Sequence, residues 1–528
     1  MSSAAVQQTD VLVVGGGITG LSAALFLTRL GVRPILVERH PSTAILPQAR
    51  AFNPRSMEIY RALGLEEEIR RRQSILVDFP EMIGAETLVG AERFRIDLLS
   101  QVRPPERLSP TDWAMIDQDD LEQVIRAAAE DSGADVRFGT ELISVEPDVD
   151  GVRAVVRGSD GERTIQARYL IAADGHRAGV RTELRVGVDQ PGPTSHALYF
   201  VFDADLTTQL RGRRFTLAYL DRPTAGTVLV PMRQIGRWML AMPYELEHRD
   251  ELTEERCVEL AREAVGEPDL DVTLVPPVPG WPHLVSHSTT GGWVAHRFRV
   301  GPVFFAGDAA HVMPPSGSYG ASTGIADAHN LAWKLAAVLT GQAGLALLDT
   351  YEAERRPVAK RTLEVAMRLL TARHQGTGDD TDVDDLTMIF GYRYTSSAVV
   401  TEPSTPDTLV EDPRTPSGRP GLRAPHAWLA GGLSTTDLCV TGFTLLTGPD
   451  GDGWSAAASS AGIAVRRLRD EDALTAYGLT RTGASLIRPD GFVAWRAATL
   501  PEWPDQELRE VLAGVLARQP ATSAARPS

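Results

Sequence analysis

Three glycines near the amino terminus have the spacing that lets a peptide backbone approach a dinucleotide. They are Gly15, Gly17 and Gly20 in the run GGGITG, which follows an apolar stretch and opens a helical pattern. Such glycines permit a tight turn, close contact with a pyrophosphate and tight helix packing. Glu38 ends the next apolar run, where a carboxylate can accept hydrogen bonds from a ribose. The alternative is a glycine-rich turn with a salt-bridged glutamate, so this motif indicates NAD or FAD without separating them.

A second stretch, GDAAHVMPPSGSYGASTGIADAHNLAWKLA from residue 307 to 336, favours FAD. The strand pattern VFFAGD brings Asp308 to a strand end, where its carboxylate could bond a ribityl hydroxyl; an aspartate that caps the next turn is the alternative. A helix follows, with Ser322 or Thr323 as its predicted N-cap. Its free amides and positive dipole end would suit the negatively charged ring of a reduced flavin. The predicted cofactor contacts of this stretch are Asp308, Pro315, Gly320, Ala321 and Ser322.

These residues need strands and helices to position them, and the hydropathy pattern predicts both. A strand over 10–14, a helix ending near Gly31 and a strand over 34–38 form a strand–helix–strand unit. The further predicted elements are a helix after Asn53-Pro54, a helix from Asp117 to about Gly133, a β-rich crossover over 136–173, antiparallel strands over 201–242, an acidic connection from 372, and strands alternating with helices over 400–528. The predicted fold class is therefore α/β with more than one domain.

Composition excludes several classes of function. The chain has 528 residues, of which 43% are hydrophobic, enough for two or three domains. Lys and Arg number 53 against 69 Asp and Glu, and no basic block occurs, so we expect no nucleic-acid partner. Cys257 and Cys439 belong to no metal-binding pattern, so we expect no metal. The amino terminus has no signal-peptide pattern and no apolar run could span a bilayer, which predicts a soluble cytoplasmic protein without membrane contact.

Three separated motifs resemble those of the class A flavoprotein aromatic monooxygenases, the family typified by para-hydroxybenzoate hydroxylase. They are GGGITG with Glu38, ADGHRAGVR around Asp174, and GDAAHVMPP with its helix. QARAFNPRSME and the run from Gln118 to Glu122 also match, so the resemblance covers residues 10–370. WAMIDQDDLE, FDADL, GYRYTSSAVV and TPSGRPGLRAPH look closest to the polyketide hydroxylases of the aklavinone hydroxylase type, and they extend the match past residue 400.

The resemblance implies a Rossmann-like FAD-binding domain interleaved with a β-sheet substrate domain, followed by a thioredoxin-like C-terminal domain. The expected boundaries are 1–77, 109–183 and 287–371 for the FAD-binding domain, 78–108 and 184–286 for the substrate domain, and 400–528 for the C-terminal domain. The last of these resembles the thioredoxin-like domain through SLIRPDGFVAWR but has no CxxC motif, which excludes dithiol exchange. We expect it to serve packing or dimerisation in a monomer or homodimer.

The resemblance also implies roles for single residues. Arg50 corresponds to the family arginine near the FAD phosphates and flavin, and Gln118 to the glutamine that contacts the FAD chain. Asp174 corresponds to the aspartate that holds both FAD and the visiting nicotinamide. Taken alone, Gln118 reads as a polar helix start and Asp174 as a turn residue. The cofactor contacts expected outside the 307–336 stretch are Gly15, Gly17, Ile18, Thr19, Gly20, Glu38, Arg39, Arg50, Gln118 and Asp174.

One departure from the family occurs in the second stretch. The common form GGQGMNTGI is GSYGASTGI here, with Tyr319, Ala321 and Ser322 in place of the usual residues. Backbone contacts to the flavin would survive these changes, whereas a contact through an asparagine side chain would not. We therefore expect the flavin site to persist.

The implied chemistry agrees with the absence of a nucleophile triad from the sequence. NADPH or NADH would reduce FAD, O2 would add to it, and the flavin hydroperoxide would hydroxylate a polycyclic aromatic substrate of polyketide type in secondary-metabolite biosynthesis. A base or cation beside the ring would favour the reactive phenolate; the candidates, each also readable as structural, are Arg233, Tyr219 and Tyr244. Residues that read as pocket walls or as core are Phe200, Phe202, Met232, Trp238 and Met242.

Three other functions compete with aromatic hydroxylation. The same cofactor chemistry could perform Baeyer–Villiger oxidation or epoxidation, which product mass and hydrolytic ring opening would distinguish. A flavin-binding protein without oxygenase activity would yield only peroxide. A plain NAD-dependent dehydrogenase would lack a flavin spectrum.

Overall fold

The computed structural model describes residues 6–43, 49–79, 81–97, 103–190, 195–277, 281–374, 384–403, 406–438 and 442–518. In chain order the strands are β1 Gln7–Val14, β2 Ile35–Glu38, β3 Glu81–Ala85, β4 Glu92–Asp97, β5 Asp135–Phe138, β6 Glu141–Pro147, β7 Val152–Gly158, β8 Gly161–Ala172, β9 Val188–Asp189, β10 Ser195–Asp203, β11 Leu217–Leu220, β12 Thr227–Pro231, β13 Arg237–Tyr244, β14 Thr273–Val275, β15 Val285–Thr290, β16 Trp293–Ala295, β17 Arg299–Val300, β18 Val303–Phe305, β19 His311–Val312, β20 Thr444–Thr447, β21 Ala464–Arg467, β22 Ala484–Ile487 and β23 Val493–Ala497. The α-helices are α1 Ile18–Arg29, α2 Pro54–Ala62, α3 Glu66–Arg71, α4 Gln118–Asp131, α5 Gly179–Glu183, α6 Thr207–Leu210, α7 Glu254–Val265, α8 Gly320–Leu339, α9 Thr350–His374, α10 Asp385–Phe390, α11 Asp452–Ser460, α12 Glu471–Tyr477 and α13 Pro504–Val515.

The first sheet has the strand order β17-β18-β8-β1-β2-β5, and β6 and β7 extend it as a meander beside β8. Strands β18, β8, β1, β2 and β5 are parallel, and β1 to β2 and β18 to β8 are in register at their carboxyl ends. Helices α1 and α8 pack against one another over a core of buried aliphatic residues. The mixed α/β class and the first strand–helix–strand unit are confirmed.

Local sequence explains where the first helices begin and end. Gly17 precedes α1 in extended geometry, and Gly31 follows it at a φ of +83°, which a residue with a side chain rarely adopts. Asn53 caps α2 because its side chain accepts a hydrogen bond from the backbone N–H of Ser56, with Pro54 in the first turn. These features confirm the predicted helix after Asn53-Pro54.

The second sheet has the order β14-β10-β13-β12-β11-β3-β4, with β15 also paired to β10. Its pairs are antiparallel except for β3 with β11, so the antiparallel alternation predicted over 201–242 is confirmed. The central part of one face is buried beneath α7, whose apolar side includes Cys257, Leu260 and Ala264. The other face remains partly exposed.

The carboxy-terminal sheet has the order β21-β20-β22-β23, in which β20 and β21 are parallel and the other pairs antiparallel. Helices α11 and α13 pack together beside it. The alternation of strands and helices predicted over 400–528 is confirmed for the residues described. Cys439 and most of the acidic connection after 372 lie outside the described residues.

A buried ionic cluster joins this last sheet to the first. Glu354 of α9 is paired with Lys334 Nζ at 2.7 Å and with both terminal nitrogens of Arg488 at 2.7 and 2.8 Å. Asn330 and Ser396 also donate to it, at 2.7 and 2.6 Å. The attraction of these cations outweighs burial and lowers the pKa of Glu354 below its usual range. Because the charges have no exposure to water, the cluster fixes how the two parts pack.

In the part of the chain that the structure describes, no helix combines the length and hydropathy needed to cross a membrane.

Candidate functional site

The carboxyl ends of the parallel strands bring three of the predicted motifs to one edge of the first sheet. Val14 is paired with Ala172 and Val37, and Ala172 with Phe305, so the segments that follow these strands are neighbours. They carry the glycine motif, Asp174 and the turn with Asp308. Strand order reverses at this edge, with β2 on one side of β1 and β8 on the other. Such a switch point forms the crevice in which open α/β sheets bind ligands.

The backbone geometry of the glycine motif is compatible with the three roles expected of it. Gly15 adopts a φ of +110°, and a Cβ there would overlap the carbonyl of Ala173. A Cβ on Gly20 would overlap the carbonyl of Gly15, so the close approach of helix to strand requires glycine. At Gly17 the nearest atom to a Cβ would be Glu122 Oε1, 3.8 Å away. The backbone at Gly17 therefore faces open space, which suits the approach of a pyrophosphate.

Glu38 holds the same loop from the side. Its Oε2 accepts a hydrogen bond from the backbone N–H of Gly16 at 2.7 Å, and its Oε1 accepts one from His40 at 2.8 Å. Each carboxylate oxygen has a second lone pair, so a ribose hydroxyl can still donate to it. Arg39 is on the surface beside it, with Nε 3.3 Å from His40 Nε2. The proposed ribose contact of Glu38 stays a prediction.

Asp308 occupies a turn that a second, fully buried aspartate supports. Gly307 has a φ of +58°, and its N–H donates to Asp327 Oδ2 at 3.0 Å. Asp327 also accepts from His311 Nε2 and from Arg355 Nε, each at 2.6 Å, and these two partners lower its pKa against the effect of burial. Asp327 thus anchors the turn to α8 and α9.

The carboxylate of Asp308 is left for a ligand. Its side chain is exposed at this turn, and within the described ranges no group donates a hydrogen bond to it. The protein around the carboxylate still raises its pKa by desolvation, although His311 and His176 oppose the shift. Asp174 is similar: its Oδ2 accepts from Val180 N at 3.0 Å, while its buried Oδ1 has no partner. Burial raises the pKa of Asp174 as well. Unpartnered carboxylates at this edge fit the hydroxyl donors of FAD.

The stretch that was predicted to face the flavin begins its helix at a different residue from the one expected. Helix α8 begins at Gly320 and its N-cap is Tyr319, which makes no side-chain cap bond, so the predicted capping by Ser322 or Thr323 is wrong. Thr323 instead donates back to the Tyr319 carbonyl at 2.8 Å, and Ser322 Oγ accepts from Asn53 N at 3.4 Å. These hydroxyls stabilise the helix and its contact with α2. The free amides of the first turn remain available, since a Cβ on Gly320 would meet nothing within 4 Å.

Tyr319, which departs from the family pattern, is directed away from this crevice. Its ring is buried against Val365 and Ala366 of α9, and its hydroxyl donates to Asp385 at the start of α10. Of the other residues in the stretch, Pro315 is exposed and Ala321 is half-buried. Tyr319 therefore supports this loop from α9 and α10, on the side away from the crevice.

Arg50 and Gln118 lie together on the other side of the glycine motif. Gln118 Oε1 accepts from Ala49 N at 3.2 Å, and its Nε2 donates to Glu122 at 2.8 Å. Arg50 Nε donates to Asp117 at 2.9 Å, and its Nη1 donates to the Pro231 carbonyl at 2.8 Å. Their roles in binding FAD stay predictions. The structure adds that Arg50 also joins the first sheet to the second.

The structure separates the three candidates for a base or cation. Arg233 is paired with Asp117, Asp119 and Asp120. Tyr219 lies on the partly exposed face of the second sheet, since its neighbours along β11 are buried in the core beneath α7. Tyr244 lies on the opposite face, 3.1 Å from His287 Nδ1. Of these three residues, only Tyr219 lies on the partly exposed face of the second sheet.

The structure shows which of the possible pocket walls belong to the core instead. The core beneath α7 contains Phe200, Phe202, Trp238 and Met242. Met232 is half-buried just after β12. The partly exposed face instead presents, at half-buried positions, Tyr199, Tyr219, Val228, Met239 and Ala241. The alternation of residues along each strand assigns them to the two faces of the second sheet, but it does not show which face α7 covers.

Three residues of the site's support were missed. Asp327, Asn330 and Lys334 follow one another at helical spacing in α8, and such a polar stripe usually faces solvent; here all three are buried. The sequence feature that could have indicated their burial is the position of these polar residues within a mostly apolar helix. Their partners on α9 and beyond could not be found from spacing.

Among the described residues, no group of three or more His, Cys, Asp or Glu side chains could hold a metal ion.

Comparison with known proteins agrees with this geometry. The family described as "FAD binding domain" matches residues 8–366, and that described as "Aromatic-ring hydroxylase, C-terminal" matches 417–519. The chain is 38% identical to aklavinone 12-hydroxylase RdmE of Streptomyces purpurascens, covering 97% of this chain and 99% of that protein. It is 40% identical to tetracenomycin A2 monooxygenase-dioxygenase of Streptomyces glaucescens, covering 98% of each.

A solved ternary complex of aklavinone-11 hydroxylase with FAD and aklavinone has a similar fold. Its TM-score is 0.87 at 36% identity, covering 97% of this chain and 100% of that one. The matched families, the curated relatives and the crevice with its unpartnered carboxylates all agree. The chain therefore belongs to the FAD-binding aromatic-ring hydroxylases, and it is an FAD-dependent monooxygenase.

Proposed function

We propose that this enzyme hydroxylates a polycyclic aromatic substrate of the polyketide type, with NADPH or NADH as reductant and O2 as the source of the oxygen atom. The observation that carries the proposal is the contrast between the two faces of the second sheet. One face is a closed core beneath α7, and the other leaves Tyr199, Val228, Met239 and Ala241 half-buried. We call these four residues and Tyr219 the open face.

The open face is broad, apolar and flat at its centre. Tyr199 pairs with Ala241, Ala241 with Val228, and Val228 with Tyr219, so one row of side chains crosses four strands. Strands lie about 4.8 Å apart, which places the two tyrosine Cα atoms roughly 14 Å from each other. Only small side chains stand between them. A planar fused-ring compound would bury its apolar surface on this platform.

The residues at the edge of the first sheet would hold FAD, which when bound supplies the oxygen-transfer chemistry. Gly15, Gly17 and Gly20 would admit its pyrophosphate, and Asp308 and Asp174 would accept hydrogen bonds from its hydroxyl groups. The first turn of α8 would direct backbone N–H groups at the ring, where they stabilise negative charge. The apolar open face would exclude water from the bound substrate.

The relatives support the substrate class. Aklavinone and tetracenomycin A2 appear in the names of proteins that match the chain over nearly its whole length. We further propose the domain division expected above, with residues 1–77, 109–183 and 287–371 binding FAD and 78–108 and 184–286 covering the substrate. The order β21-β20-β22-β23 with its flanking helices supports a thioredoxin-like unit over 400–528 that serves packing or dimerisation.

The proposal is tested by incubating the purified flavoprotein with NADPH or NADH, oxygen labelled with the heavy isotope, and a set of tetracyclic and angular aromatic polyketides. We expect one labelled oxygen atom in the product and product equal to the reductant consumed. A product that opens on hydrolysis as a lactone would replace hydroxylation by Baeyer–Villiger oxidation. Peroxide alone with every substrate would refute oxygenase function.

A further inference from the structure

A cluster of five charged side chains joins the second sheet to the start of α4. Arg233 follows β12, and its Nη2 lies 3.3 Å from Asp117, 3.4 Å from Asp119 and 2.5 Å from Asp120. The other oxygen of Asp117 accepts from Arg50 Nε at 2.9 Å. We call Arg50, Asp117, Asp119, Asp120 and Arg233 the bridging cluster. Asp117 is at its centre, with only 3% of its side chain exposed.

The bridging cluster holds the end of β12 at two points. The Pro231 carbonyl, at the last residue of β12, accepts from Arg50 Nη1 at 2.8 Å. Two residues later, Arg233 reaches the opposite oxygen of the same aspartate that Arg50 binds. Because both contacts converge on Asp117, a shift of β12 would move the partners of Arg50. Strand β12 also carries Val228 of the open face.

Arg50 continues this connection toward the cofactor crevice. Its neighbour Ala49 exchanges two hydrogen bonds with Gln118, from Ala49 N to Oε1 at 3.2 Å and from Gln118 N to the Ala49 carbonyl at 2.9 Å. Gln118 in turn donates to Glu122, whose Oε1 is the atom nearest to a Cβ on Gly17. Hydrogen bonds and one peptide link therefore connect β12 to Glu122, whose carboxylate lies beside the glycine motif.

We infer that Arg233 is a positioning residue, which couples occupancy of the open face to the FAD site through Asp117 and Arg50. The inference rests on the proposed function, because it assigns the open face to the substrate. Arg233 then does not serve as a cation for a phenolate, since three carboxylates already neutralise its charge. A substrate that pushes on β12 changes the contacts of Arg50, and the flavin environment changes with them.

The exposure of these groups decides what a substitution should do. Arg233 is 58% exposed, so its pairs with Asp119 and Asp120 add little to stability. Asp117 is buried and keeps Arg50 as a partner when Arg233 is removed. We therefore expect Arg233→Gln to fold normally and bind FAD normally, and to lose one of the two contacts that hold the end of β12, because Arg50 keeps its hydrogen bond to the Pro231 carbonyl.

Arg237→Gln is a matched control from the same hairpin. Arg237 makes a two-point ion pair with Asp203 at 2.7 and 2.9 Å, but both residues belong to the second sheet. The control thus removes an arginine ion pair of the same kind without crossing to the first sheet. Arg233→Lys keeps the charge and serves as the conservative variant.

The experiment measures two quantities in each FAD-loaded protein. The first is the change in the visible flavin spectrum when a dihydroxyanthraquinone is added as a planar aromatic probe. The second is the ratio of NADPH oxidation rates with and without a substrate that the wild type hydroxylates. In Arg233→Gln we expect both effects to fall by about 5-fold or more, the lower end of typical coupling between sites. Arg237→Gln should retain them and Arg233→Lys should recover most of them.

Failure of the inference can be told from failure of the proposed function. If the wild type hydroxylates no aromatic substrate, the proposed function fails, and the probe spectrum still tests the coupling. Equal responses in Arg233→Gln and Arg237→Gln would overturn the inference. So would a wild-type flavin spectrum that does not respond to bound probe, with binding checked by retention of the probe on the protein.

Discussion

The contact between α1 and α8 predicts that adding one methyl group at Gly324 carries a steric penalty, which removal of the Thr19 side chain beyond Cβ should relieve. Thr19 of α1 lies between Gly307 and Gly324, and a Cβ at either glycine would come inside 3.0 Å of Thr19 Oγ1. Rotating Thr19 gives little relief, because its Cβ is itself 3.5 Å from a Cβ at Gly324 and a β-branched side chain has few rotamers. Gly324→Ala should therefore push α8 away from α1.

The expected magnitude follows from two opposing effects. Replacing glycine by alanine within a helix is favourable by about 1 kcal/mol. Overpacking a tight contact costs about 1–3 kcal/mol, so Gly324→Ala alone should be neutral to destabilising. In a Thr19→Ala background the remaining neighbours of the new Cβ are Thr19 Cβ at 3.5 Å and Gly307 Cα at 3.2 Å, which a small shift accommodates. There the same substitution should gain close to the full helix preference.

The assay is the free energy of unfolding in urea of the wild type, both single variants and the double variant, with FAD affinity measured by flavin fluorescence. We expect an interaction energy of about 1–3 kcal/mol between the two sites. FAD affinity should fall in Gly324→Ala, since Gly307 carries the turn of Asp308. The double variant should bind FAD as Thr19→Ala does, because Thr19 is itself a predicted cofactor contact. The control is Gly514→Ala within α13, because a Cβ at Gly514 would have no neighbouring atom within 4 Å. Additivity of the two substitutions within about 0.5 kcal/mol would refute the reasoning.

Three further predictions concern buried polar groups. Asp327→Asn should weaken FAD binding and cost about 3–5 kcal/mol of unfolding free energy, because one amide oxygen cannot serve three donors; unchanged fluorescence titration and denaturation curves would contradict this. Glu354→Gln should leave Arg488 buried without a full countercharge and make the carboxy-terminal part the first to be cleaved in limited proteolysis, whereas the exposed substitution Glu510→Gln should have no effect. Burial lowers the pKa of His426 to about 4 from 6.5, so between these values the unfolded state binds a proton that the folded state does not. Thermal stability should then fall as pH drops from 6.5 towards 4, and His426→Asn should reduce that slope; an identical slope in the variant would exclude His426 as the cause.

Several features of this protein follow from its sequence because they depend on a few adjacent residues. In GGGITG, glycine is required at Gly15 by its φ of +110° and at Gly20 by the nearby carbonyl of Gly15, and Asn53 caps its helix through a bond three residues away. The carboxyl ends of β1, β8 and β18 meet because neighbouring parallel strands end on the same side of the sheet, so the segments that carry Asp174 and Asp308 lie close together. The glycine motif alone leaves NAD and FAD open, whereas the 307–336 stretch and the resemblance to known motifs favour FAD.

The tertiary structure decided which groups face each other across long stretches of chain. Alternation in β10 and β13 divides their residues between two faces, but α7 determines which face is core, so the pocket could not be read from Phe200 or Trp238. Asp327, Glu354 and Arg233 find partners up to 134 residues away, and spacing along one element carries no information about them. A buried charge is stable only where its countercharges converge, and that convergence exists only after distant segments have packed together.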